Sequence, residues 1–284
     1  MGKLKLIECP RDAMQGWHDF IETKDKIDYI NLLLKCGFDT IDFGSFVSPK
    51  AIPQMRDTAE VLRHLNLESD SKLLAIVANE RGATDACFFE EIDYLGYPFS
   101  ISETFQKRNT NATIEESLGR LEGIQNLASK SKKSLVVYLS MGFGNPYGDP
   151  WHSDVILEWS SKLYKQLGIN ILALSDTIGC ATEEIVTNVF TDVIKELPQV
   201  EFGAHLHVVP QKAKSIVQAA YEAGCRRFDG AVKGFGGCPM AKDDLTGNMP
   251  TEVMLNYFDQ AEVAHGVERQ HFIEAEAMAG KIFV

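Results

Sequence analysis

The 284-residue chain has no CxxC pair, no long apolar run and a shortage of positive charge, and each lack closes off a class of protein. Its cysteines, at positions 9, 36, 87, 180, 225 and 238, are scattered rather than paired, and a chain of this length needs no covalent staples, so reduced thiols are expected. No apolar stretch approaches the roughly 18 residues of a membrane span. The opening MGKLKLIECP has neither the apolar region nor the cleavage site of a secretory leader, and Leu6 stands where a myristoylation signal has Ser or Thr. A cytoplasmic protein without membrane contact is the expectation. Lys and Arg number 28 against 40 Asp and Glu, a net charge of -12, which opposes general affinity for nucleic acid. An anionic substrate would need local positive charge or a metal.

What is present is the composition of a globular protein, 45% hydrophobic and 24% charged. Eight short runs rich in β-branched and aliphatic residues recur along the chain: LKLIEC, DTIDFGSF, KLLAIVA, DYLGYPFS, SLVVYLSM, INILALSD, VEFGAHLHV and RRFDGAV. Most are followed by helical periodicity. Ala213, Ile216, Val217 and Ala220 share one helix face, with Gly224 as the stop. Ile114, Leu118, Leu121 and Gln125 predict another face, with Thr113 as cap. Eight strand–helix units of about 35 residues suit a single (β/α)8 TIM barrel of the α/β class, occupying residues 1–284 as one catalytic domain. An open doubly wound sheet fits less well. Its first strand would usually lead into a Gly-rich turn, and here LKLIEC leads into PRDAMQG.

Barrel enzymes place their chemistry at the C-terminal ends of the strands. Arg11 and Asp12 fall at the end of the first, Asp42 and Ser45 on the second, Asp176 and Thr177 at the end of the sixth, His205 and His207 on the seventh, and Asn248 after the eighth. Two histidines two apart on a strand point to the same side and suit a divalent ion such as Mg, Mn or Zn, with Asp12 and Asn248 as oxygen donors. The plainer reading of HxH is a chance pair with one satisfied imidazole. Arg11 and Asp12 read either as a structural ion pair or as a guanidinium for a developing oxyanion beside a metal-binding carboxylate. Cys238, in GFGGCP, sits on a glycine-rich loop that could close on a ligand, cradle a phosphate, or simply turn.

Several separated segments resemble the 3-hydroxy-3-methylglutaryl-CoA lyase family, within the metal-dependent lyase and Claisen-synthase barrels. They are ECPRDAMQ with Arg11, Asp12 and Gln15, SFVSPKAIPQM from Ser45 to Met55, LSDTIG from Leu174 to Gly179, HLH from His205 to His207, GFGGCPMA, and Gly247 with Asn248. The Ser45 segment is the most specific. The resemblance implies a divalent metal, usually Mg or Mn, on Asp12, His205, His207 and Asn248, and retro-Claisen cleavage to acetyl-CoA and acetoacetate. It implies Arg11 on the enolate oxygen, Asp12 or His205 as base, Asp42 as a further catalytic carboxylate, and Cys238 closing over the substrate or moving a proton. Gln15, Ser45 and Thr177 are the substrate-binding candidates, Lys50 a candidate for the phosphates of an acyl-CoA, and a homodimer the implied assembly.

The chain departs from the family pattern at four places: Asp42 replaces Glu, Val208 and Val209 replace Asp-Thr after HxH, Asn145 replaces Cys, and Ala13 replaces Gly. The valines predict that the histidines lack a polar partner. Two other readings compete. A related aldol or Claisen enzyme would act on another acyl-CoA or 2-oxo acid, although the synthases usually carry extra C-terminal regions. A catalytically idle barrel would be retained for binding.

Overall fold

In the computed structural model, which describes residues 2–237 and 246–283, eight parallel strands close into a barrel in sequence order. They are β1 Lys5–Glu8, β2 Thr40–Ser45, β3 Lys72–Ile76, β4 Tyr94–Ser100, β5 Ser134–Ser140, β6 Ile171–Asp176, β7 Glu201–Leu206 and β8 Arg227–Gly230. All eight apolar runs form strands. Strands covered on both faces read as nearly continuous apolar runs, and every residue of β2 and of β6 is buried. Closure is made by β1 against β8, with Ile7 opposite Asp229, and β7 continues the row with His205 opposite that same Asp229.

Two apolar layers result. Inside the barrel, Leu74, Ile76, Val136, Tyr138, Ile171 and Ala173 pack together, while a larger layer separates the strands from the helices. At the N-terminal end of the barrel Glu201 accepts from Lys5 at 2.6 Å and from Arg227 at 3.2 Å. This leaves the opposite rim for chemistry.

The helix Pro210–Glu222 buries Ala213, Ile216, Val217 and Ala220 as its periodicity predicts, and Gly224 follows its cap at a φ of +104°. The helix Ile114–Lys130 starts at Thr113 with a full capping box to Glu116, worth about 1 kcal/mol. Its buried stripe, however, is Ser117, Leu121, Ile124 and Ala128. Leu121 is buried as predicted and Ile114 and Leu118 pack half-buried against the same core, but Ile124 takes the place expected for Gln125, and Ser117 turns inward, where it accepts a hydrogen bond from Gln106 at 2.7 Å.

One buried carboxyl ties the first strand to the last loop. Glu8 accepts the Val232 N–H at 2.9 Å on one oxygen and the Thr251 hydroxyl at 2.6 Å on the other, so both ends of the stretch after β8 are pinned to β1. Burial pushes the Glu8 carboxyl up to about 8, against the pull of its two hydrogen bonds.

Candidate active site

Arg11 and Asp12 do not end β1 itself. They lie in a one-and-a-half-turn helix, Pro10–Gln15, which Pro10 starts at the position where a missing N–H costs nothing. The helix turns both side chains over the barrel mouth, where Arg11 is 6% and Asp12 5% exposed.

Arg11 is gripped on two sides. Its Nε donates to both oxygens of Asp42, at 3.2 and 3.0 Å, its Nη2 to Asp42 Oδ2 at 2.5 Å, and its Nη1 to Asp12 Oδ1 at 2.7 Å. Of the five guanidinium N–H groups three are engaged, which leaves one on each terminal nitrogen. Burial alone would disfavour the charge, but Asp42 and then Asp12 hold the guanidinium firmly protonated. Asp42, one methylene shorter than the family's glutamate, still reaches Arg11. Its own carboxyl is pushed by burial up to about 6, with Arg11 opposing that rise.

Asp12 Oδ1 also accepts from Gln15 Nε2 at 2.6 Å, whereas its buried Oδ2 has no hydrogen-bond partner among the described residues and lies 4.0 Å from His207 Nε2. Burial works against ionisation of Asp12. Arg11, then His205 and His207, overcome it and bring the carboxyl down to about 2.

Both imidazoles have polar partners, so the expectation drawn from Val208 and Val209 is overturned. His205 Nδ1 lies 3.1 Å from Asp229 Oδ2, and His207 Nδ1 lies 3.2 Å from the Thr177 carbonyl. A carbonyl only accepts, so His207 carries its proton on Nδ1 and presents a lone pair on Nε2. Burial, then His205, lowers His207 to about 4, keeping it neutral, as a ligand must be. Burial also opposes charge on His205, but the hydrogen bond and charge of Asp229, with the charge of Asp12, together outweigh it and raise that imidazole. Tyr138 sets its ring edge against His205, with centroids 5.2 Å apart.

Asn248 lies beside them through an antiparallel bridge to His207, and its Nδ2 donates to the Phe235 carbonyl at 2.9 Å. The glycine-rich stretch approaches closely: a Cβ on Gly236, at φ +90°, would lie 2.6 Å from the Asp12 carbonyl and 2.9 Å from Asn248 Nδ2. Only glycine fits there. Asp12, His205 and His207 offer ligand atoms within 4.8 Å of one another, and with the free Asp12 oxygen this donor set fits a divalent ion.

The remaining candidates are placed less centrally. Gln15 braces Asp12. The Ser45 hydroxyl donates to the Ile76 carbonyl at 3.2 Å and accepts the Val47 N–H at 3.3 Å, closing the turn after β2. Thr177 accepts the Met141 N–H on its hydroxyl while its carbonyl orients His207. Lys50 is exposed in that same β2 turn, and Cys238 lies outside the described residues. Asp176 accepts from the N–H groups of Cys180 and Ala181, at 3.1 and 2.7 Å, and so shapes the turn after β6. Asp229 was missed from the sequence. Its signal was a lone carboxylate in the apolar run RRFDGAV.

A closed parallel barrel whose rim gathers two oriented imidazoles, a half-free carboxylate, an amide and a clamped guanidinium defines a metal-assisted barrel enzyme. The chain belongs to the HMGL-like family, whose model matches residues 4–279. It is 32% identical over 274 residues to the hydroxymethylglutaryl-CoA lyase of Bacillus subtilis, covering 94% of this chain and 88% of that protein. It is also 32% identical to a 3-hydroxy-3-isohexenylglutaryl-CoA/hydroxymethylglutaryl-CoA lyase of Pseudomonas aeruginosa, over 96% of this chain and 90% of the relative. Among solved structures, the Bacillus subtilis lyase superposes with a TM-score of 0.92 at 32% identity, over 99% of this chain and 94% of the other. A lyase from Acinetobacter baumannii, in complex with coenzyme A and 3-methylmalate, gives 0.90 at 30% identity over 98% and 92%. No helix among the described residues is long and apolar enough to cross a membrane.

Proposed function

We propose that this enzyme is a carbon–carbon lyase that cleaves 3-hydroxy-3-methylglutaryl-CoA to acetyl-CoA and acetoacetate, with Mg or Mn as its metal. One observation carries the reading: Asp12 has one oxygen locked by Arg11 and Gln15 and the other unpartnered beside His207. Asp12, His205, His207 and Asn248 would hold the metal, whose Lewis acidity would make the substrate's tertiary hydroxyl more acidic.

The chain's own groups divide the remaining work. His205 is the imidazole backed by a carboxylate, and it is a candidate for the hydroxyl proton only while its one lone pair is off the metal. Asp12 is the other candidate for that proton. Opening of the carbon–carbon bond leaves an enolate of the acetyl thioester, and the two uncommitted N–H groups of Arg11 meet the charge on its oxygen. Asp42 fixes the guanidinium plane, so no reorganisation is needed as that charge develops. Cys238, outside the described residues, is assigned either to closing over the substrate or to proton transfer, Gln15 and Thr177 to positioning, Ser45 to shaping the β2 rim, and Lys50 to the CoA phosphates. A cytoplasmic homodimer is the assembly that accompanies this reading.

The test is direct. Metal-stripped protein is incubated with 3-hydroxy-3-methylglutaryl-CoA, with and without added Mg or Mn, and acetoacetate is measured. Metal-dependent product supports the assignment, and its absence overturns it. The isohexenyl homologue is assayed beside it, because the Pseudomonas aeruginosa relative carries both substrates in its name. Cleavage of the longer acyl chain alone would favour the related-lyase reading.

A further inference from the structure

A second group of donors shares His205 with the first. Cys9, His205 and Asp229 offer one ligand atom each within 4.8 Å of one another. They come from three neighbouring stretches of the barrel wall: Cys9 directly after β1, His205 from β7 and Asp229 from β8, with Asp229 opposite both His205 and Ile7 in register. Cys9 is fully buried, and its N–H is fixed by the Gly230 carbonyl at 2.9 Å. Asp229 spends one oxygen on His205 Nδ1, while its other oxygen is buried without a partner among the described residues. Of the three, His205 is the most exposed, its side chain at 12% against 1% for Asp229.

We propose that Cys9, His205 and Asp229 form a second metal site, selective for a thiophilic divalent ion of the zinc or cadmium type, and that its occupation is incompatible with the Asp12–His207 site. Sulfur decides the selectivity. Mg takes oxygen donors and dehydrates reluctantly, whereas a thiolate, an imidazole and a carboxylate make a zinc-type set with a fourth position open. The charge also balances, since one thiolate and one carboxylate neutralise a dication. On binding, the S–H bond of Cys9 breaks, its proton leaves to solvent, and the sulfur electron pair forms the bond to the metal.

Incompatibility follows from the imidazole. A neutral imidazole offers a single lone pair, so His205 ligates in one group or the other. An ion held beside Asp229 takes Nδ1 and moves the ring proton to Nε2, which removes His205 from the Asp12–His207 group. It also draws Asp229 away from His205. The proposal does not depend on the substrate assigned above, since it concerns binding alone.

The full-length, metal-stripped protein is titrated with Cd2+ while the ultraviolet thiolate-to-cadmium charge-transfer band is recorded. One band saturating at one equivalent is expected in the wild type and in Cys180→Ser and Cys238→Ser, and it disappears in Cys9→Ser. Asp229→Asn should weaken the Cd2+ affinity at least tenfold. Cys9→Ala serves as the second variant should serine misfold, with circular dichroism as the check on both. Absence of the band in the wild type, or its survival in both Cys9 variants, overturns the proposal. Magnesium-dependent acetoacetate formation, assayed separately, fails or succeeds independently of this band.

Discussion

Arg11 Nε stands 3.2 and 3.0 Å from the two carboxylate oxygens of Asp42, so the positive charge over the barrel mouth is held from behind by the neighbouring strand. A guanidinium fixed this way need not reorient as negative charge develops, which is the condition under which such donors contribute most.

Asp42→Ala is therefore expected to lower kcat by about 10²–10³ with much less effect on metal affinity, since Asp42 is not in the ligand set. Leaving Arg11 buried without its main counter-ion should also cost roughly 3–5 kcal/mol of stability. Asp42→Asn, which keeps the volume and one acceptor, should retain more of both. Steady-state kinetics and thermal melts on the two variants check the pair of effects. If Asp42→Ala weakened metal binding as strongly as turnover, its assignment as a clamp would be wrong.

Asp229 sets the orientation of His205, and partners of this kind usually matter by about 10–100-fold in metal affinity or activity. Asp229→Asn should lose that much in Mn2+ affinity or in kcat/KM, measured by electron paramagnetic resonance and by acetoacetate release. Wild-type values for both would reduce the 3.1 Å contact to packing.

The barrel and the gathering of Arg11, Asp12 and the two histidines at one rim are legible in the sequence because they rest on local patterns. Apolar runs covered on both faces produce β2 and β6, and an HxH pair two apart on a strand must point one way. What was not legible rests on closure. Asp229 meets His205 only because β8 lies between β7 and β1, and a lone carboxylate in RRFDGAV carries no mark of that neighbour. The Thr177 carbonyl that orients His207 is main chain, so no side chain could announce it. Likewise Ser117 entered the buried stripe of its helix because Gln106 comes to meet it from another helix.

Glu8 gives a stability that depends on pH. Its carboxyl titrates at about 8 in the fold against an ordinary 4.5, so the folded state binds the extra proton between those values. The stabilisation is fully present below about 4.5 and is lost as the pH rises through about 8, an effect on the order of a few kcal/mol. Glu8→Gln keeps an acceptor for the Val232 N–H and removes the titration. Melting temperatures across this window should fall with rising pH in the wild type and fall less in Glu8→Gln. Parallel curves would show that Glu8 stays ionised in the fold.

Asn248 is the ligand candidate whose role is most open to a clean experiment. Its Nδ2 donates to the Phe235 carbonyl at 2.9 Å. With the nitrogen end committed, the amide oxygen is the atom left for a cation, and oxygen donors are what Mg and Mn prefer. Asn248→Ala should therefore weaken Mn2+ binding by about 10–100-fold while the barrel, whose core this side chain does not fill, keeps its melting temperature within about 1–2 kcal/mol of equivalent stability. Because a missing ligand is compensated by mass action, turnover in Asn248→Ala should recover as Mn2+ is raised. Arg11→Ala should bind Mn2+ as the wild type does and stay inactive at every concentration. The two responses separate a metal ligand from an oxyanion donor. An Asn248→Ala protein with wild-type Mn2+ affinity would remove that residue from the ligand set and leave Asp12, His205 and His207 to hold the ion alone.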